Sequence, residues 1–237
     1  MDKKHTFALV AFATLSTIAL AASVKEYPLE SAERLTLHNV QAMPATLENK
    51  RGLRVTLSEE GKKAKAAAAN QPASFETLAV IDGSDFSNGV IEAEIAGAPA
   101  PDAPEAARGF VGIAFRVKPD LKTYDAFYLR PTNGRADDQV RRNHSAQYVS
   151  HPDWPWPRLR KESPERYESY VDLEAGKWTR IRIEVDGDHA RLFVHGQSQP
   201  TLVVNDLKTG AQGRGAIALW THESTVAHFR ALRVTPR

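Results

Sequence analysis

Between residues 34 and 234, apolar side chains recur at alternate positions in short runs separated by stretches rich in Gly, Pro, Asn and Asp. A two-residue period belongs to the β-strand, whose successive side chains point to opposite faces. The runs predict strands over Arg34–Val40, Leu53–Leu57, Phe75–Ile81, Val90–Ile95, Phe110–Val117 and Tyr124–Arg130. After a long irregular stretch they resume over Trp178–Val185, Ala190–His195, Leu202–Val204, Ala216–Trp220 and Val226–Val234. Asp186-Gly187-Asp188 is a hairpin signal between two of them. Glu59–Asn70 reads as one short helix or insertion, and the Ala/Pro-rich stretch Gly97–Ala107 as a surface loop. The pattern predicts an all-β fold, a sandwich of two antiparallel sheets forming one domain over residues 22–237.

Alternation also assigns faces. Val111, Ile113, Phe115 and Val117 are expected inward, leaving Gly112, Ala114 and Arg116 outward. Phe127 and Leu129 turn inward, and Tyr124, Ala126, Tyr128 and Arg130 outward. Ile217 and Leu219 face the core, opposite Ala216, Ala218 and Trp220. The outward faces thus repeat one theme, small residues beside an aromatic ring or an arginine. Such a surface leaves room for a ligand: Tyr and Trp stack on the apolar face of a sugar ring, and Arg donates a fork of hydrogen bonds.

Pro131–Val171 has no regular period and is long for a plain connection. It carries Asn133, Arg135, Asp137, Asp138, Arg142, Asn143, His144, Tyr148, Trp154 and Trp156. Its aromatic content argues against disorder, and Trp154-Pro155-Trp156-Pro157 is stiff because each proline fixes its own φ and restricts its neighbour. The loop is expected to fold Arg142, Asn143, Tyr148, Trp154 and Trp156 over the sheet face bearing Tyr128, Arg130 and Trp220, with Arg116, Tyr124, Asn133, Arg135 and His222 as further ligand-contacting candidates.

Composition narrows the picture. The 31 basic and 29 acidic residues nearly balance, and acids interrupt the arginines of the central loop, so nucleic-acid binding is disfavoured. Cysteine is absent, which excludes disulfides, thiol chemistry and Cys-ligated zinc. Lys3, Lys4 and His5, the apolar run Phe7–Ala21 and the small-x-small Ala19-Leu20-Ala21 resemble a secretory signal. The mature chain is then expected to begin near Ala22, to be periplasmic or secreted, and to have no membrane partner.

Candidate chemistry is sparse. Glu92 and Glu94 share one strand face about 7 Å apart, a spacing that arises on any half-exposed strand. Asp137 and Asp138 lie among arginines, a better setting for an ionised base. His144, His151 and His222 show no paired metal-ligand spacing, so no metal or other cofactor is expected. Neither a Gly-x-Ser-x-Gly elbow nor a P-loop is present. The catalytic candidates are Asp137, Asp138 and His144.

Gly215-Ala-Ile-Ala-Leu-Trp-Thr-His222 and Val226–Val234 resemble the closing strands of the 3-keto-disaccharide hydrolase family, within the concanavalin A-like lectin/glucanase superfamily. Gly176-Lys-Trp178 through Val185 is similar to its Gly-x-Trp strand, and Phe110–Phe115 with Tyr124–Tyr128 to its middle strands. The resemblance implies a jelly-roll sandwich with a sugar-facing concave sheet and activity on glycosides, by hydrolysis or elimination. Trp220 stands where that family is expected to carry a polar residue, and the glucanase pattern Glu-x-Asp-x-x-Glu is absent. Three functions remain in competition: a carbohydrate-active enzyme, a non-catalytic glycan-binding module and a laminin G-like protein-interaction domain.

Overall fold

The computed structural model describes residues 23–67 and 75–237. The expected leader and the end of the expected helix, residues 68–70, lie outside the described residues. Fifteen strands are present among them: β1 (Lys25–Tyr27), β2 (Leu35–His38), β3 (Val40–Leu47), β4 (Lys50–Leu57), β5 (Leu78–Ile81), β6 (Gly89–Pro99), β7 (Val111–Val117) and β8 (Tyr124–Leu129). They continue as β9 (Ala146–His151), β10 (Glu168–Ser169), β11 (Thr179–Asp186), β12 (His189–Val194), β13 (Leu202–Val204), β14 (Ala216–Thr221) and β15 (Thr225–Pro236). One sheet runs β13-β12-β11-β6-β15-β4-β3, with β1 added along β15; the second runs β10-β9-β8-β7-β14-β5-β2. All pairings are antiparallel, so the expected two-sheet sandwich is what the chain forms.

The inner faces of the sheets make the core. Ile91, Ile181 and Ile183 of the first sheet and Ile113, Phe115, Phe127 and Leu219 of the second are buried together. Phe86 meets Phe115 edge-on, and Phe115 stacks on Phe127 at 6.2 Å. The outer face of the first sheet is instead a ladder of ion pairs: Arg180 holds Glu92 at 3.0 Å, and Glu94 receives Arg230 at 2.5 Å and Lys50 at 3.4 Å. Glu92 and Glu94 are therefore cross-strand partners of arginines on neighbouring strands, and no sugar-cleaving pair.

One departure from the expected pattern has a local cause, and the expected helix has a clear start. β3 has Pro44 in its middle, which a central strand does not accept, but β3 is an edge strand and needs no amide there. It turns into β4 through Glu48 and Asn49, both with φ near +50° to +60°, as a two-residue primed turn requires. The helix α1 (Glu59–Ala67) starts where Ser58 Oγ accepts the Gly61 amide and Glu59 and Glu60 fill the first turn.

Arg116 corrects an expectation. At the end of β7 its φ is +58°, and the β7–β14 register shifts between Ala216 and Ala218. The side chain turns into the protein and is fully buried. Its guanidinium donates to the carbonyls of Ser87, Gly187 and Gly210 and to Thr209 Oγ1, with Asp125 at 3.9 Å. Arg116 clamps three loops and touches no ligand surface. Arg116→Met should therefore lose about 3 kcal/mol or more, since it strands buried carbonyls and leaves Asp125 without its counter-charge. Urea unfolding measures this, and a loss under about 1 kcal/mol would contradict the clamp.

Candidate functional site

The outer face of the second sheet is where the sequence placed small residues beside aromatics. β8 and β14 flank β7, and Gly112 lies directly between Tyr128 and Trp220 in the pairing register. A Cβ on Gly112 would collide with the Phe127 carbonyl and the Tyr128 Cα. With no side chain between them, Tyr128 and Trp220 stack across the strand at 4.7 Å. Phe110 stacks on Tyr128 at 5.3 Å. Tyr128 is thus held, buried, between two rings, and its hydroxyl accepts from Arg130 Nη2. Burial pushes that hydroxyl up to about 12, so it stays protonated at neutral pH.

Beside this aromatic row lies a chain of polar groups. Trp220 Nε1 donates to Tyr124 Oη at 3.1 Å, and Tyr124 Oη donates in turn to Glu76 Oε2. His151 Nδ1 stands 3.0 Å from Glu76 Oε1, at ion-pair distance but out of line for a good hydrogen bond. The imidazole stacks on Tyr124 at 5.0 Å and 10°, which fixes its plane. Burial, with the Glu76 carboxylate second, holds the Tyr124 hydroxyl well above its ordinary value. Glu76 precedes β5 and His151 ends β9, so the fold alone brings these two residues together.

The central stretch covers this face and is more regular than expected. It contains a 3-10 turn (Pro131–Asn133), α2 (Gln139–Asn143), β9, α3 (Trp156–Glu162) and β10. β9 extends the sheet beyond β8 and pairs Tyr148 with Phe127. Arg130 anchors the cover. Its guanidinium donates to the His144 carbonyl, Tyr128 Oη and Gln147 Oε1, each at 2.9 Å, and lies 3.5 Å from Glu168. Glu168 also pairs with Arg160 and has His144 Nδ1 at 2.7 Å. Burial, against the opposing pull of Glu168, holds the His144 imidazole below its ordinary value.

A cavity of about 430 Å³ opens between sheet and cover, with Phe110, Tyr128 and Trp220 along the sheet, Glu76 and His151 at one side, and Trp156 and His222 around it. Burial holds the His222 imidazole below its ordinary value. A second depression of about 410 Å³ shares Phe110 and Trp156 with the first and adds Arg108, Arg130, Asn133, Asp138, Arg141, His144 and Arg160. Trp156 is 39% exposed, with Arg130 and Arg160 against its ring at 5.7 and 4.6 Å. Among the described residues it is the most exposed ring of the groove, with Phe75 and Phe110 half-buried.

Other predicted residues lie elsewhere. Tyr148 is on the core face, opposite Phe127, where its hydroxyl donates to Asp125 and accepts from the Lys208 amide. Trp154 has its ring covered by Arg158 at 3.8 Å and Lys208 at 4.7 Å, so it locks the loop instead of meeting a ligand. Arg135 is exposed and paired with Asp172 and Glu174. Arg142 is turned to Tyr170, and Asn143 accepts from Gln139 in α2. Asp137 is exposed outside both cavities, and Asp138 caps α2 through the Arg141 amide. Tyr124 acts from beneath, through Glu76. Glu76, Phe110, Arg108, Arg160 and Glu168 were not among the candidate residues, and His151 was weighed only as a metal ligand; the one available signal was an acid, Glu76, two residues ahead of the apolar run Leu78–Ile81. Among the described residues no three His, Asp or Glu side chains gather as a metal set.

A sequence profile of the 3-keto-alpha-glucoside-1,2-lyase-like domain matches residues 56–235. The chain belongs to this family, which ties it to carbohydrates. No curated protein matches at a significant level. Among solved structures, the Bacillus subtilis carbohydrate binding module CBM66 aligns with a TM-score of 0.51 at 11% identity, over 84% of this chain and 97% of its own. A Bacillus subtilis protein of unknown function with a galectin-like fold gives 0.49 at 13%, over 92% and 99%, and a Bacillus licheniformis β-glucanase 0.45 at 14%, over 90% and 98%. The fold of this lyase-like domain is a concanavalin A-like jelly roll.

Because Arg130 joins the cover to the sheet, Arg130→Met should strip Glu168 of a buried counter-charge and cost about 3 kcal/mol or more. Limited proteolysis of the variant should cut first within residues 131–170. Cleavage elsewhere at unchanged rate would show that the cover is held by other contacts.

Proposed function

We propose that this protein is a carbohydrate-active enzyme that cleaves 3-keto glycosides by elimination across C1 and C2. The observation that carries this reading is the Glu76–His151 pair beside an aromatic groove whose Tyr128 hydroxyl is buried against Arg130. A ketone at C3 acidifies the proton on C2. With Nδ1 turned to Glu76, His151 has Nε2 to accept that proton, and Glu76 stabilises the imidazolium that forms. The electron pair of the C2–H bond then forms the C1–C2 double bond as the C1–O bond breaks. Tyr128 supplies a proton to the departing oxygen, and Arg130, 2.9 Å from Tyr128 Oη, stabilises the phenolate left behind. The products are an unsaturated 3-keto sugar and the aglycone alcohol; the proton on His151 restores Tyr128. Trp156 provides the stacking face for the sugar ring.

The leader-like residues 1–21 support a periplasmic or secreted site of action; intact mass of exported protein lacking those residues would agree, and full-length protein would not.

Phenyl 3-keto-α-glucoside should release phenol and an ultraviolet-absorbing unsaturated sugar, with a primary isotope effect when C2 carries deuterium. Loss of phenol with the C2 hydrogen retained would mean hydrolysis and overturn the elimination. His151→Ala and Tyr128→Phe should each lower kcat by about 100-fold or more, while Trp156→Ala should mainly raise KM. The open ring of Trp156 also suits a plain glycan-binding module; saturable binding that Trp156→Ala abolishes, without turnover, would select that reading.

A further inference from the structure

The second depression has a charge of its own. Its four arginines, Arg108, Arg130, Arg141 and Arg160, stand among three carboxylates, Asp138 on the rim, Glu168 behind the wall and Glu105 beside Arg108. Glu168 is already engaged by Arg130, Arg160 and His144. Arg108 and Arg141 make no ion pair among the described residues; both are held on neutral oxygens. Arg108 Nη1 donates to the carbonyls of Glu105 and Ala107, and Arg141 donates through Nε to Asn133 Oδ1 and through Nη2 to Thr132. These bonds fix both guanidiniums without neutralising them, and leave Arg108 Nη2 and Arg141 Nη1 without a hydrogen bond among the described residues. Burial, and then the nearby charge of Arg141, holds the Arg108 guanidinium below its ordinary value. Two fixed, half-buried positive charges side by side in a concavity create a local positive potential that favours an anion.

We propose that this depression is an oxyanion subsite that takes a carboxylate or sulfate substituent on the aglycone of the glycoside. The inference rests on reading the adjoining groove as the sugar site. The two cavities meet at Phe110 and Trp156, so a ring stacked on Trp156 directs its C1 substituent either along the sheet or toward the arginines. Planar guanidinium forks match two oxygens of a carboxylate or sulfate, whereas a neutral aglycone would leave both charges unanswered.

The test compares phenyl, 4-carboxyphenyl and 4-sulfatophenyl 3-keto-α-glucosides on the full chain. At least one charged substrate should exceed the phenyl compound about fivefold in kcat/KM, the scale of a partly exposed ion pair, and the better of the two identifies the oxyanion. Arg108→Gln should bring that ratio close to one. Equal kcat/KM for all three substrates, or a preference that Arg108→Gln leaves intact, overturns the subsite. If none of the three is turned over, the sugar reading fails, and inorganic sulfate decides the anion site by itself. A saturable change in tryptophan emission that Arg108→Gln removes supports the site. A change reproduced by sodium chloride at equal ionic strength overturns it.

Discussion

Everything at the groove depends on one buried contact, the ion pair of Arg130 with Glu168. Arg130 directly follows β8 and Glu168 lies in β10, so the pair ties the far end of a forty-residue excursion back to where it begins. Both side chains are almost fully out of water. Such a pair adds little net stability, because desolvating both charges offsets their attraction. It does, however, penalise every arrangement in which one partner is buried alone. The cover is therefore held in one place, and Trp156 and His144 are held with it.

The polar chain from Trp220 through Tyr124 and Glu76 to His151 follows the same logic at smaller scale. A carboxylate at this depth needs partners: Tyr124 donates to it, and His151 stands at ion-pair distance. Because Tyr124 Oη is itself fixed by Trp220, the carboxylate cannot turn away from His151. The aromatic row also orients this chain, since Trp220 can stack on Tyr128 only across a strand that has glycine at position 112. Packing and proton chemistry thus share the same side chains.

Most strands were legible in the sequence from their alternation, but the edge strands β1 and β3 were not expected, and β6 runs on to Pro99, into the stretch read as a loop from Gly97. β9 was not legible, because both of its faces are buried and both carry polar groups: Gln147 and His151 outward, Tyr148 and Ser150 inward. The period-two signal vanishes when each face is satisfied by hydrogen bonds instead of by water on one side. Tyr148 was misassigned for that reason; its face follows from register with Phe127, which local sequence does not contain. Arg116 was misassigned because a bulge reverses its direction. Glu76 and His151, 75 positions apart, could be joined only by topology.

The two outer faces of the sandwich show why a groove forms on one and not on the other. On the first sheet, arginines and glutamates alternate across neighbouring strands and neutralise one another in water, so each side chain has a partner before any ligand arrives. On the second, Gly112, Ala114, Ala126 and Ala218 leave the backbone nearly bare, and charged partners are drawn from the covering segment instead. These four positions are buried and line neither cavity, so the gap lies to one side of them, along Phe110, Tyr128 and Trp220. The gap that remains is bounded by whatever the cover brings. Here the cover brings an exposed tryptophan and two arginines, Arg141 and Arg160. Arg108, ahead of β7, and Arg130, directly after β8, supply the other two, so sheet and cover share both the shape of the groove and its charge. A relative with the same strands and a different excursion between β8 and β10 should lose the wall made by Trp156 and His151 and keep only Arg108 and Arg130 of the four arginines.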